Sequence, residues 1–319
     1  MLPFAVSLGA SLVLSGLLVP LLRRAQFMDV PNHRSSHDRP VPRGGGLAVV
    51  VALAATVLAF GREGGAWVVV VAAVVAMAGV GLADDLWSLG SAPRFVLQVV
   101  AGVALAVWAV QAGLSPWWAP VVVVVVAGYI NAFNFMDGVN GISSLTAGVV
   151  GGWWWLVGVR EDLGFVAVLG AALAGASLGF LPWNAPRAKV FLGDVGSYGL
   201  GMAVVALSVV AWVGGVHPLM AVAPLAVYGA DTGWVLIKRW RGGRPLTEAH
   251  REHVYQRLTD LRWSHLASAV LCATVGALVC AASLLVVDQH WLLALVLGAG
   301  CVLAYLSLPA LLTRGGARG

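Results

Sequence analysis

The chain has 319 residues, 60% of them hydrophobic and 10% charged, with a net charge of +5. Soluble domains carry roughly 45–50% apolar residues, so this composition excludes an ordinary water-soluble protein and predicts an integral membrane protein. The apolar runs are helical in length, and the lack of alternating segments about ten residues long excludes a membrane β-barrel.

Eleven spans are expected, at about 3–22, 44–60, 66–83, 95–112, 117–133, 142–159, 164–181, 197–213, 216–237, 266–287 and 291–310. They predict an all-α polytopic bundle, a single domain over residues 1–319 with no room for a separate soluble unit. The first span has no basic stretch before it and has Arg23 and Arg24 behind it, so it is expected to be a retained helix and not a cleaved signal. With the N-terminus outside, the connections at 23–43, 84–94, 134–141, 182–196 and 238–265 and the C-terminal tail face inward. They hold seventeen of the nineteen Lys and Arg residues, leaving only Arg62 and Arg160 on the other side. Basic residues accumulate in cytoplasmic loops, which sets the predicted orientation.

Nine of the fourteen tryptophans, among them Trp117, Trp118, Trp153, Trp154 and Trp291, fall toward the predicted outer ends of spans and read as an interfacial belt. Cys272, Cys280 and Cys301 lie inside apolar spans without CxxC spacing, so they are expected to be buried free thiols without metal or redox chemistry. No nucleic-acid partner is expected.

The outer connections are short, so the chemistry is expected on the inner face. In chain order, "DVPNHRSSHDRPVPRGGG" (29–46) places His33, Arg34, His37, Arg39 and Arg43 before a triple glycine, a combination suited to anions. "GLADD" (81–85) ends a span in Asp84 and Asp85, at the unfavourable end of a helix dipole, so a cationic group is expected to offset them. They read either as a hydrated acidic loop or as a pair handling a cation or a proton.

"NAFNFMDGVNG" (131–141) spaces Asn131, Asn134, Asp137 and Asn140 by three, a stripe along a helix ending that Gly138 and Gly141 break. Its oxygen donors either solvate the helix end or suit a hard cation such as Mg²⁺, which takes one or two carboxylates and fills its shell with water and phosphate oxygens. "NAPRAKVFLGDVGS" (184–197) sets Asp194 between glycines at the start of a span, where free N–H groups favour a phosphate, or where Asp or Ser simply caps the helix. "RPLTEAHREHVYQRL" (244–258) carries His250, Arg251 and His253, better suited to phosphate than to zinc because no cysteines or third histidine complete a zinc site. Acids for a cation and bases for phosphates together point to phosphoryl transfer, where catalysis is mainly positioning and charge neutralisation.

"GLADD", "NAFNFMDG", "NAPRAKVFLGDVGS" and "HREHVYQRL" resemble, in order, the cytoplasmic motifs of the polyprenyl-phosphate N-acetylhexosamine-1-phosphate transferases, over nearly the whole chain. The resemblance implies transfer of a sugar-1-phosphate from a UDP-N-acetylamino sugar to undecaprenyl phosphate, releasing UMP, in a bacterial inner membrane. It implies Mg²⁺, or Mn²⁺, held by Asp194 and Asn134 with help from Asp137. Asp84 is implied as base or acceptor-phosphate organiser with Asp85 as its partner, and His250 and His253 at the diphosphate or lipid phosphate. Arg39 and Arg43 are implied at the nucleotide, and Asn131, Lys189 and Arg251 as further substrate contacts. A homodimer, common in that family, is also implied.

Two departures matter. Asn140 stands where many members carry a second acid, which suggests amide hydrogen bonding there, to uracil for example. The histidine loop lacks the PLHHH run of the peptidoglycan enzyme and looks more like the branch that starts O-antigen chains with UDP-linked 6-deoxy amino sugars, although some relatives take UDP-N-acetylglucosamine. The rival from another class is a transporter or flippase of lipid-linked precursors, which predicts acids near mid-span. Only Asp231 lies well inside an apolar span, as either an interhelical polar contact or an anchor for the histidine loop.

Overall fold

The computed structural model describes residues 1–30, 39–62, 64–245 and 250–316, and His33, Arg34 and His37 lie outside the described residues. The helices are α1 (Leu2–Arg24), α2 (Gly46–Phe60), α3 (Ala66–Trp87), α4 (Ser91–Gln111), α5 (Ala119–Met136), α6 (Ile142–Arg160), α7 (Gly164–Asn184) and α8 (Gly193–Val213). They continue as α9 (Pro218–Val222), α10 (Ala226–Arg241), α11 (Val254–Asp260), α12 (His265–Ser283) and α13 (Trp291–Gly316). Two short strands, β1 (Met28–Asp29) and β2 (Val41–Pro42), pair antiparallel between α1 and α2. The architecture is an all-α polytopic membrane bundle.

Among the described residues ten helical stretches are long and apolar enough to cross a membrane. The expected span at 44–60 is the exception. Its helix, α2, has 15 residues, about 22 Å at 1.5 Å per residue, short of a hydrocarbon layer roughly 30 Å thick. The span expected at 216–237 is not one continuous helix either. Pro224, which has no N–H to continue the ladder, sits in a 3₁₀ turn over Ala223–Leu225 that separates α9 from α10. The loop at 238–265 holds the short helix α11, which the hydropathy did not foretell.

The bundle is organised around α8, in which every residue from Val195 to Ala211 is buried. Small residues allow that enclosure. A Cβ on Gly46 of α2 would stand 2.1 Å from the Gly196 Cα, and one on Gly81 of α3 would stand 2.1 Å from the Asp194 carbonyl oxygen. Backbone-to-backbone approach at these two points brings the N-termini of α2 and α8 and the C-terminal half of α3 together. At the periphery α1 packs on α7, where the Ser7 and Ser11 hydroxyls each donate at 2.7 Å to the Ala172 and Ala176 carbonyls. Such bonds satisfy the hydroxyls where no water competes.

Trp117 and Trp291 are exposed, as a belt requires, but Trp153 and Trp154 are buried. They belong to α6, which packs between α7 and α12, so their aromatic area fills the core. The three cysteines are free, with Cys272 and Cys280 buried and Cys301 partly so.

Candidate active site

All five connections expected on the inner face contribute to a single cavity of about 290 Å³. Asp29 and Arg43 come from the segment between α1 and α2, and Asp85 from the last turn of α3. Asn134, Asp137, Gly138, Val139 and Asn140 come from the end of α5 and the turn that follows. Asn184 and residues 191–194 come from the connection between α7 and α8, and Gln256 and His265 from α11 and α12.

The glycine motif is what brings these pieces to one place. The backbone N–H groups of Gly45 and Gly46 donate to the Phe191 and Leu192 carbonyls at 2.9 and 2.7 Å, and the Phe191 N–H donates to Pro42 at 2.8 Å. Gly193 has a left-handed φ of +74°, and a Cβ there would lie 2.8 Å from Asp85 Oδ2. Only glycine makes that turn without strain and without displacing the carboxylate. Asp85 Oδ2 accepts the Val195 N–H at 3.1 Å, and the same carboxylate also takes the Asp194 N–H. The α8 N-terminus, read from the sequence either as a phosphate site or as a capped helix end, is capped by a carboxylate from α3, and its positive potential is already engaged.

Asp84 does not line the cavity. Its buried carboxylate accepts from Arg94 Nη1 at 2.6 Å and from the Tyr198 hydroxyl at 3.2 Å, and it interacts side chain to side chain with Asp194. Asp85 is the member of the pair that reaches the cavity, with the Arg43 guanidinium bonded to its carbonyl oxygen and 4.0 Å from Oδ1. Arg94 and Arg43 are the cations that the placement of the two acids at a helix C-terminus demanded.

The stripe in "NAFNFMDGVNG" separates, because a step of three residues turns a helix by about 300° and each side chain lags its predecessor by about 60°. Asn131 faces α4, where its Nδ2 donates to Gln98 Oε1 and to the Ala127 carbonyl. It is an interhelical residue away from the cavity. Asn134 Oδ1 accepts from the Ser197 hydroxyl at 2.8 Å, and Asp137 Oδ1 accepts from Ser143 at 2.6 Å. Burial pushes the Asp137 carboxyl up to about 6, partly opposed by the Ser143 hydrogen bond and assisted by the nearby Asp85. Asn140 Nδ2 donates to the Pro186 carbonyl at 3.1 Å, tying this turn to the α7–α8 connection.

The histidine loop is placed differently from expectation. His253 is buried, its Nδ1 is 3.1 Å from Asp231 Oδ1, and it does not line the cavity. The His250 ring lies tilted 5.1 Å from that of His253, outside the cavity wall, and burial, with His253 and Arg239 adding to it, pushes its ring down to about 4. Arg251 pairs with Asp260 at 3.2 Å, Lys189 lies 4.9 Å over the Trp183 ring, and Arg39 is exposed; none of the three lines the cavity.

Four polar wall residues are not among the candidates read from the sequence: Asp29, Asn184, Gln256 and His265. The first three lie inside the quoted motifs, where Asn184 accepts the Gly141 N–H at 2.6 Å and donates to the Val190 carbonyl at 3.1 Å. His265 begins α12 and has no motif around it to mark it.

The cavity wall offers oxygen ligands. Among the described residues no three His, Cys, Asp or Glu side chains assemble as a metal-binding group, so an all-protein cage is not what this wall presents. Asp194, Asp137 and the Asn134 amide line the same cavity, a donor set that fits Mg²⁺, which leaves most of its shell to water and phosphate oxygens.

Residues 67–212 match the family described as Glycosyl transferase family 4. A protein of Bacillus subtilis (strain 168), named as a probable undecaprenyl-phosphate N-acetylglucosaminyl 1-phosphate transferase, is 30% identical over 297 residues, covering 86% of this chain and 81% of that protein. The decaprenyl-phosphate N-acetylglucosaminephosphotransferase of Mycolicibacterium smegmatis is 30% identical over 89% of this chain and 82% of its own length. A phospho-N-acetylmuramoyl-pentapeptide-transferase of Clostridium botulinum is 26% identical over 85% of this chain and 91% of its own.

Proposed function

We infer the reaction from one premise: the chain belongs to the polyprenyl-phosphate N-acetylhexosamine-1-phosphate transferases, multi-pass membrane enzymes that join a sugar phosphate to a polyprenyl phosphate. The donor we propose is a UDP-N-acetylamino sugar and the acceptor undecaprenyl phosphate, on the cytoplasmic side of a bacterial inner membrane, with the N-terminus periplasmic. The observation that carries this reading is the convergence of all five inward connections on one acid-lined cavity. A mid-membrane pathway, which transport needs, has no comparable support, because Asp231 is bonded to the histidine loop.

In the proposed reaction an oxygen of the lipid phosphate attacks the β-phosphorus of the donor. A new phosphoanhydride bond forms as the bond to UMP breaks, and UMP leaves with the bonding pair. Arg43, on the wall beside Asp85, would meet the diphosphate. Asp137, on the same wall and held by the Ser143 hydroxyl, would complete the protein's share of the cation's shell. Asn140 and Gln256 present amides to the donor from opposite connections. Mg²⁺ held by Asp194 and Asn134, with Asp137 beside them, would supply charge neutralisation of the diphosphate.

For the donor sugar, the relatives named above favour UDP-N-acetylglucosamine. The second reading, a 6-deoxy amino sugar for O-antigen initiation, rests on the wording of the "HREHVYQRL" loop. Purified protein in detergent, given undecaprenyl phosphate, Mg²⁺ and a panel of UDP-N-acetylamino sugars, is expected to release UMP only with lipid present. Release is expected to stop with EDTA or in Asp194→Ala. Lipid-independent release, or none with any donor from folded protein, would overturn the proposal.

A further inference from the structure

Asp231 is fully buried within the ninth span, and its carboxylate meets the His253 ring. A carboxylate at that depth is expensive and is kept where it does a job. Here it gathers three partners. Oδ1 meets His253 Nδ1 at 3.1 Å, and Oδ2 accepts the Val254 N–H at 3.0 Å and the Tyr305 hydroxyl at 3.3 Å. One carboxylate thereby fastens the start of α11 to α10 and α13.

From α11 the contacts run on to the cavity. The His253 ring lies parallel to that of Tyr255, 6.0 Å between centroids, and the His253 N–H donates to Gln256 Oε1 at 3.2 Å. The Tyr255 hydroxyl donates to the Phe135 carbonyl at 3.0 Å, an acceptor in the last turn of α5 that the helix leaves free. The same hydroxyl lies against Gly138, where a Cβ would stand 2.1 Å from it. Residue 138 is held to glycine by that hydroxyl, and Asp137 and Asn140 flank the contact on the cavity wall.

We propose that Asp231 is a positioning residue that, through His253 and Tyr255, fixes the turn carrying Asp137 and Asn140 and sets Gln256 beside it. The inference rests on the transferase reading only for its effect on turnover. The histidine of the motif acts as a strut from the membrane interior, and its ring need not touch a substrate.

The test uses the full chain in detergent or nanodiscs, as Asp231→Asn and Tyr255→Phe, each close in shape to the original. Asp231→Asn loses the negative partner of the His253 ring, and Tyr255→Phe loses the Phe135 bond together with the hydroxyl's contact to Gln256. Hydrogen exchange of residues 134–141 is expected to accelerate about ten-fold or more in both variants, with the α1–α7 interface unchanged. On the enzyme, kcat is expected to fall on the order of 10–100-fold, with the donor KM within a factor of about two and Tyr305→Phe intermediate. Unchanged exchange of 134–141 in Tyr255→Phe would overturn the inference whether or not the wild type transfers sugar. An inactive wild type with accelerated exchange in both variants would leave the strut standing and remove the transferase reading. If Asp231→Asn does not fold, Tyr255→Phe and Tyr305→Phe decide the matter alone.

Discussion

Replacing Arg94 by Met leaves the Asp84 carboxylate buried beside Asp85 and Asp194 with only the Tyr198 hydroxyl to hold it. The ion pair is 2.6 Å long, with the Asp84 side chain 5% and the Arg94 side chain 29% exposed. Removing one partner of a buried pair costs roughly 3–5 kcal/mol, and the partial exposure of the arginine sets the lower end, about 3 kcal/mol. The Tyr198 hydroxyl's longer bond to the same carboxylate, at 3.2 Å, contributes about 1.5 kcal/mol, the low end for a hydrogen bond to a charged group. Arg94→Met is therefore expected to lower the melting temperature clearly more than Tyr198→Phe. If the misplaced Asp84 disturbs Asp194 by the same amount in the transition state, kcat falls on the order of 100-fold. Cys272 and Cys280 are buried and free, so a thiol-reactive fluorophore reports unfolding in detergent, and UMP release reports turnover. Arg94→Lys, which keeps the charge, is expected to recover part of both. Wild-type stability and turnover in Arg94→Met would refute the view that this pair holds the acid cluster together.

Gly193→Ala forces a side chain into a φ of +74° and against Asp85 Oδ2 at 2.8 Å. Strain of about 1–2 kcal/mol and loss of the α8 cap are expected to cut turnover at least about ten-fold, while Gly215→Ala, also at positive φ but in open space, is expected to retain it. Because the folded His250 ring is held down to about 4 from 6.5, the unfolded chain takes up a proton first as pH falls. Stability is expected to be full above pH 6.5 and to decline toward pH 4, and His250→Gln is expected to flatten that part of a melting-temperature profile. Asn131→Leu together with Gln98→Leu removes both members of an interhelical amide pair and is expected to leave donor KM within roughly two-fold, in contrast to Asn134→Leu.

Much of the site was legible because membranes segregate polarity so strictly. Polar clusters between apolar runs had to lie at the two faces, and the distribution of Lys and Arg gathered five of them on one side. The structure brings all five to a single cavity. What the motifs could not convey is depth. Asp84 and Asp85 are adjacent in sequence, yet a step of about 100° around α3 sends one to Arg94 and Tyr198 and the other to the cavity. Asn131 and Asn134 diverge for the same reason, one to α4 and one to α8. His253 looked like a ligand because it is polar and lies in a basic loop. Its burial depends on Asp231, 22 residues earlier, and Tyr305, 74 residues beyond Asp231, and no local pattern encodes that meeting. The broken ninth span was readable in principle from Pro224, but mean hydropathy is insensitive to a missing N–H.

The acid cluster poses an energetic problem whose solution bears on function. Asp84, Asp85 and Asp194 converge where α3 ends and α8 begins. The negative end of α3 disfavours the first two, while the positive end of α8 favours Asp85 and Asp194. Arg94 answers Asp84 at 2.6 Å and Arg43 stands 4.0 Å from Asp85. Asp194 has no cation that close among the described residues. Asp194 and Asp137 are therefore carboxylates on the cavity wall that the described residues leave without an adjacent cation. An arrangement that spends two arginines on its neighbours and leaves Asp194 to the cavity, with the Asn134 and Asp137 oxygens on the same wall, selects for a ligand that brings positive charge with it. The prediction that follows is a metal-dependent melting temperature. Millimolar Mg²⁺ without any substrate is expected to raise it in the wild type and not in Asp194→Asn, and an equal rise in both would place the cation elsewhere.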